Sequence, residues 1–248
     1  MAPASPFRRS VTGRVSIVAH RGLSAEEPEN TMRAFRRALE VGCDLIEFDV
    51  HRTRDGTPVV IHDDTVDRTT DGSGVVREMT LDRIRALDAG GGERIPTLAE
   101  VLELTTGRVL LVTEIKRPGI EERVAAVVRE SDALADVMFW SFFPQALESM
   151  RRVEPRLPGG LLIGPETLPR WPEMRELAIR LGLQAVSVFC FGISEEIARD
   201  CRRSGLALYA WTADAEAEVA RLIALGLDGI CTNYPDRALA LLESHARS

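Results

Sequence analysis

The regular alternation of short β-branched runs with amphipathic stretches does most to limit what this chain can fold into. Runs beginning at Val15, Leu45, Val109, Val137, Gly160, Ala185, Leu206 and Asp228 read as strands, eight in all. Helical patterns fall between nearly all of them, at about 31–41, 97–104, 121–131, 144–153, 170–181, 194–204 and 214–225, with a last one at 235–244. Strands separated by helices pair in parallel, and eight βα units in 248 residues is the size of a closed (βα)8 TIM barrel. An open doubly wound sheet fits less well, because no G-x-G-x-x-G loop follows the first strand. One α/β domain over 13–248 is therefore expected, behind a flexible tail over 1–12 that contains Pro3 and Pro6.

A second short run, 58–62, and the turn-rich segment after it do not fit the count. They form an insertion of about 55–95 between strand two and its helix, too long for an ordinary βα loop. Such loops usually carry function.

Composition narrows the partners. A net charge of −7 leaves no basic field for nucleic acid or an anionic membrane. No apolar run approaches the roughly 20 residues that span a bilayer, and Arg8 and Arg9 are not followed by an apolar signal core, so the cytoplasm is the expected compartment. Cys43, Cys190, Cys201 and Cys231 are far apart, show no C-x-x-C spacing and read as reduced thiols.

The chemistry is concentrated in DLIEFDVHRTRDGTPVVIHDD, residues 44–64. Side chains two apart on a strand share a face, so Leu45, Glu47, Asp49 and His51 point one way and Ile46, Phe48 and Val50 the other. Because both faces are flanked by apolar residues, this strand is buried on both sides, where two adjacent carboxylates are costly unless a cation or donors offset them. Hard divalent ions prefer oxygen ligands of this kind. The Asp55-Gly56 turn then folds the chain back and brings His62 near the pair.

A barrel places its reactive groups at the carboxyl ends of its strands. His20 and Arg21, Glu47 and Asp49, Glu114 and Lys116, Ser141, and Trp211 with Thr212 all fall at such ends. Alternation turns Glu114 toward the Glu47/Asp49 pair, completing an oxygen site. Taken singly each residue has a plain structural alternative: His20 as a satisfied buried histidine, Lys116 as a partner for Glu114, Trp211 as rim packing. Together, a carboxylate triad, two histidines, an arginine and a lysine suit displacement at phosphorus, with a metal and the cations neutralising phosphate while His20 and His62 move protons. His51 and His245 read as structural.

These motifs are similar to those of a known family. AHRG (19–22), PENT (28–31), EFDVHRTRDGTPVVIHDDTVDRTTDGSG, IPTLAEVL (95–102), EIK (114–116), SF (141–142), AWT (210–212) and DGICTNYPD (228–236) together resemble the glycerophosphodiester phosphodiesterases. The resemblance implies a TIM barrel with a small insertion after strand two, hydrolysing glycerophosphodiesters to glycerol 3-phosphate and an alcohol. Carried onto this chain, it implies Glu47, Asp49 and Glu114 as ligands of one divalent cation, Mg²⁺ or Ca²⁺, and His20 and His62 as the acid/base pair. Arg21 and Lys116 would bind phosphate, and Trp211 would line the glycerol side. It also implies attack by the glycerol 2-hydroxyl through a cyclic phosphate. Thr113 departs from the asparagine that often precedes E-I-K, which bears on the hydrogen bonds behind the ligands. Two other enzyme readings compete, and a third, a catalytically silent binding barrel, is opposed by the intact His20, His62 and carboxylate set. A lysophospholipase D-like enzyme on lipid-bearing diesters would need an apolar entrance, to which Phe142, Phe143, Leu161 and Leu162 could contribute, although core packing explains them as well. A barrel aldolase would use Lys116 as a Schiff-base nucleophile.

Overall fold

A computed structural model of the chain describes residue 7 and residues 13–246. Eight strands close on themselves: β1 (Ser16–His20), β2 (Leu45–Arg52), β4 (Leu110–Ile115), β5 (Val137–Ser141), β6 (Gly159–Ile163), β7 (Ala185–Phe189), β8 (Ala207–Trp211) and β9 (Gly229–Thr232). Each is parallel to its neighbours, and β1 pairs with both β2 and β9. Helices α1 (Met32–Val41), α3 (Leu98–Thr105), α4 (Glu121–Glu130), α5 (Pro144–Val153), α6 (Trp171–Arg180), α7 (Glu195–Ser204), α8 (Glu216–Leu225) and α9 (Pro235–Ala246) follow the strands. The expected elements form with ends shifted by one or two residues, where helix and strand termini fray.

The two faces of β2 do what their alternation requires. Ile46, Phe48 and Val50 join Phe35, Leu98 and Val101 in the layer between strands and helices. Leu45 points into the barrel with Val18, Val112, Met138, Trp140, Ala185 and Tyr209. Room for the two large rings there comes from small neighbours. A Cβ on Gly160 would lie 2.5 Å from the Trp140 ring and one on Gly229 2.4 Å from the Tyr209 ring, so neither position accepts a side chain without moving an indole or a phenol.

Phe7, within the segment read as a tail, is buried against this inner layer, and its carbonyl accepts the Tyr209 hydroxyl. The other tail residues up to Thr12 lie outside the described residues. Among the described residues no helix is long and apolar enough to cross a membrane. All four cysteines are buried and free, and burial pushes the Cys43 thiol up to about 12.

The insertion has its own small core. β3 (Pro58–Val60) runs antiparallel to the end of β2, with Val50 opposite Val60. Val59, Ile61, Val66, Val76, Met79 and Ile84 pack together under it, the last from the short helix α2 (Leu81–Arg85). The expected capping box holds: Thr97 accepts from the Glu100 N–H and Glu100 from the Thr97 N–H. A packed insertion fixes His62, two residues past β3, over the mouth of the barrel.

Candidate active site

The register of the first three barrel strands assembles the site. His20 lies beside Glu47, and Asp49 beside Glu114, so four of the expected residues come from adjacent positions on three strands. Glu47 (3% exposed), Asp49 (1%) and Glu114 (9%) each offer an oxygen, and these oxygens lie within 4.8 Å of one another. Lys116 Nζ stands 2.8 Å from Glu114 Oε1 and 3.3 Å from Asp49 Oδ1, and Arg21 Nε 3.2 Å from Asp49 Oδ2.

Three buried carboxylates against two cations leave a charge imbalance. Burial and the neighbouring Asp49 and Glu114 charges push Glu47 well above the usual carboxylate range. Burial likewise raises Glu114 to about 7, Asp49 adding to the effect and Lys116 opposing it. At Asp49 burial works in the same upward direction but is outweighed by Lys116 and Arg21, which hold it below the ordinary value. Burial opposes the charge on Lys116, yet Asp49 and Glu114 outweigh it and raise its pKa. A divalent cation would relieve this imbalance. The donor set is all oxygen, and buried Asp49 Oδ1 has the Lys116 ammonium at 3.3 Å but no hydrogen bond among the described residues, so Glu47, Asp49 and Glu114 fit a hard ion such as Mg²⁺ or Ca²⁺.

Each histidine is tied by Nδ1. His20 Nδ1 lies 2.7 Å from Asn233 Oδ1, and His62 Nδ1 2.6 Å from Asp63 Oδ1. The Asn233 amide is oriented by Asp214, which accepts from Asn233 Nδ2 at 2.7 Å, so Oδ1 is the atom turned to His20 and Ser24. Both acceptors therefore place the ring hydrogen on Nδ1 and leave Nε2 free; that of His20 is 4.0 Å from Glu47 Oε2. Burial, with Arg21 adding to it, lowers His20 to about 4. Burial also lowers His62, against an upward pull from Asp49.

His20, Arg21, Glu47, His62, Glu114, Lys116 and Trp211 all line one cleft at the carboxyl end of the barrel, with Asp49 beneath them. The sequence pattern of the glycerophosphoryl diester phosphodiesterase family matches residues 20–237, which spans this whole set. This chain belongs to that family. A glycerophosphodiester phosphodiesterase of Caldanaerobacter subterraneus is 41% identical over 239 residues, covering 91% of this chain and 97% of its own length. An Oleispira antarctica phosphodiesterase, solved in complex with its product sn-glycerol 3-phosphate, is 28% identical with a TM-score of 0.83, over 94% of this chain and 98% of that one. A glycerophosphodiester phosphodiesterase of Agrobacterium tumefaciens is 29% identical with a TM-score of 0.81, over 91% and 99%.

Several residues of this phosphodiesterase's site had no role in the sequence reading. From P-E-N-T, Asn30 donates to Asp49 Oδ2 at 2.8 Å, and Glu29 accepts Arg21 at 2.9 Å. Arg68 of the insertion reaches Glu29 through two nitrogens at 2.8 and 2.9 Å and Asp63 at 2.7 Å, joining the Arg21 and His62 supports into one chain of alternating charge. Arg21 itself has φ 56°, and its N–H donates to Glu47 Oε2 at 3.1 Å. The turn that does this depends on Gly22, at φ 81°, where a Cβ would come within 2.7 Å of the Ala34 backbone. These contacts come from loops meeting across the barrel mouth, and the only signal for them was their presence in motifs already quoted.

Two expectations are corrected. Ser141, placed among the strand-end reactive groups, is fully buried; its hydroxyl donates to Ile115 O and accepts the Phe143 N–H, so it holds two loops together. Leu161, named for an apolar entrance, faces the helix layer because alternation along β6 turns Leu162 inward instead. His51, read as structural, has its Nε2 3.0 Å from the His62 carbonyl. Thr113 is buried and its hydroxyl has no hydrogen-bond partner among the described residues.

Proposed function

We propose that this family member is a metal-dependent hydrolase of glycerophosphodiesters, such as glycerophosphocholine or glycerophosphoethanolamine, releasing sn-glycerol 3-phosphate and an alcohol by His/His acid–base catalysis at phosphorus. The observation that carries the reading is the pair of imidazoles anchored by Nδ1 on opposite supports above one buried carboxylate cluster. A divalent cation bound by Glu47, Asp49 and Glu114 supplies charge neutralisation at the phosphate. Arg21 and Lys116, fixed by Glu29, Asp49 and Glu114, hold the phosphate oxygens from either side.

The two supports divide the proton work. His20, turned by a neutral amide and held uncharged by burial, takes the proton from the attacking hydroxyl at Nε2. His62 rests on the Asp63 carboxylate, which stabilises the imidazolium, and gives its proton to the departing alkoxide. The glycerol end then lies toward Trp211 and the leaving alcohol toward Lys116. Attack by the glycerol 2-hydroxyl suits a base placed on the glycerol side: it expels the alcohol, protonated by His62, and leaves a cyclic phosphate that water then opens to glycerol 3-phosphate. Cleavage of a diester whose alcohols both lack a neighbouring hydroxyl would rule that route out.

Identifying the products from glycerophosphocholine tests the reading. Glycerol 3-phosphate with choline supports it; glycerol with phosphocholine, or no turnover, contradicts it.

One observation favours a second substrate reading, lipid-bearing diesters. Edge-stacked rings lead out of the cleft: Phe142 to Trp211 at 5.4 Å, Trp211 to Phe189 at 5.8 Å and Phe189 to Phe191 at 5.5 Å. Phe191 is 70% exposed and lines a recess with Leu168, Pro165 and Pro169. An acyl chain on the glycerol could lie along it, so lysophosphatidylcholine is the second substrate to assay. The aldolase reading loses its chemistry here, since a Schiff-base lysine must be neutral and Lys116 is held charged by two carboxylates.

A further inference from the structure

The Lys116 side of the cleft continues beyond the catalytic cluster. A trough of about 490 Å³ shares His62, Glu114, Lys116 and Phe142 with the cleft and runs on to Asp64 and Arg117. There it meets a recess of about 580 Å³ that shares His51, Asp64 and Arg117 with the trough. The end of β2 is the floor of this recess. Its walls are Val75 and Arg77 of the insertion and residues 117–120 after β4.

The recess carries positive charge on a chain whose net charge is −7. Arg52, Arg77 and Arg117 line it against one carboxylate, Asp64, which Arg117 already holds through two nitrogens. Arg52 is the single exposed residue of β2, and its side chain has no hydrogen bond or ion pair among the described residues. Arg77 makes one loose ion pair, with Glu78 at 3.7 Å, both largely exposed, and its charge also acts on Asp64. The other carboxylates nearby are engaged: Asp63 by His62 and Arg68, and Glu121 by the Gly119 N–H. One unpartnered and one loosely held guanidinium thus face an anion site at the far end of a path that starts at His62.

We propose that this recess is a subsite for a leaving alcohol that carries its own phosphate. The inference rests on the function proposed above, in which His62 faces the leaving alcohol. Guanidinium forks match phosphate oxygens in pairs, and a dianion gains more from two of them than a carboxylate does. Trough and recess, about 490 and 580 Å³, also offer more room than choline or ethanolamine fills. A nucleic-acid strand is a poor occupant, because the path between the two ends is lined by Asp63 and Asp64.

The test compares glycerophosphoinositol with glycerophosphoinositol 4-phosphate, whose alcohols differ by one phosphate. At low ionic strength the wild-type chain should favour the phosphorylated diester by about tenfold in kcat/KM, and the preference should shrink as salt rises. Arg52→Ala combined with Arg77→Ala, both at exposed positions, should bring the ratio close to one and leave glycerophosphoinositol turnover unchanged. Equal kcat/KM in the wild type, or a preference that survives the double substitution, overturns the subsite while glycerophosphocholine turnover upholds the reaction. Absence of turnover on all three diesters overturns both.

Discussion

Two layers of the barrel interior, one residue pair apart on the same strands, behave as opposites. The lower layer, Val18, Leu45, Val112, Met138 and Tyr209, is apolar and closed, with Phe7 against Tyr209 and with Trp140, whose indole also lines the cleft, edge to face on Tyr209 at 5.2 Å. The upper layer, His20, Glu47, Asp49, Glu114 and Lys116, continues the same faces and is ionisable and incompletely paired. The lower layer fills its own space and supplies stability. The upper layer is held in an arrangement that costs free energy until a ligand completes it, as expected of a site prepared for charge developing in a reaction.

Substitutions in the two layers should therefore separate activity from stability. His20→Ala and His62→Ala should each lower kcat/KM by about 10²–10⁴, the range of general acid–base catalysis, while thermal unfolding stays within a few degrees of wild type. Tyr209→Ala should do the reverse, costing about 3–5 kcal/mol in denaturant unfolding while the folded fraction keeps its turnover. Near-wild-type rates in either histidine variant would remove the division of labour.

The charge imbalance of the upper layer gives a pH signature. Glu114 is raised to about 7 in the folded chain from an ordinary 4.5, so the folded state binds the extra proton. Its stabilising effect is complete below pH 4.5 and is lost as pH rises through 7. In chelator, Glu114→Gln should match wild-type melting at pH 5 and exceed it by several degrees at pH 8. His20, lowered to about 4, titrates in an overlapping window with the opposite sign, which is why the comparison is made between two chains that share it. A constant difference across pH would mean that the carboxylates are not in conflict.

Smaller effects should come from the loops that frame the upper layer. Arg68→Ala breaks the link between the Arg21 and His62 supports and should lower kcat/KM about tenfold in steady-state assays, with Arg68→Lys failing to restore it because a single ammonium cannot bridge Glu29 and Asp63. Phe191→Ala should change only kcat/KM for lysophosphatidylcholine, by a fewfold, and leave glycerophosphocholine untouched.

How much of this was legible in the sequence follows the same division. Alternation along β2 and β4 was enough to place Glu47, Asp49, Glu114 and Lys116 together on the inner face, because strand period fixes direction and parallel pairing fixes neighbours. The eight-strand count was likewise local information summed along the chain. Asn233, Glu29, Asn30 and Arg68 were not legible as partners of His20, Arg21, Asp49 and Asp63. Their positions depend on how loops separated by up to 213 residues meet over the mouth, and no periodicity carries that. Ser141 shows the converse failure: a polar residue at a strand end looked reactive and proved to be a brace between neighbouring loops.

The most direct test of the account is release of glycerol 3-phosphate from glycerophosphocholine after removal of divalent ions, with Mg²⁺ or Ca²⁺ then added back to the wild-type chain and to Glu47→Gln. Loss of turnover in chelator, restoration by one of the ions, and a need for far more of that ion in the variant are the predicted results. Full turnover in chelator would contradict the claim that the upper carboxylate layer works as a metal site.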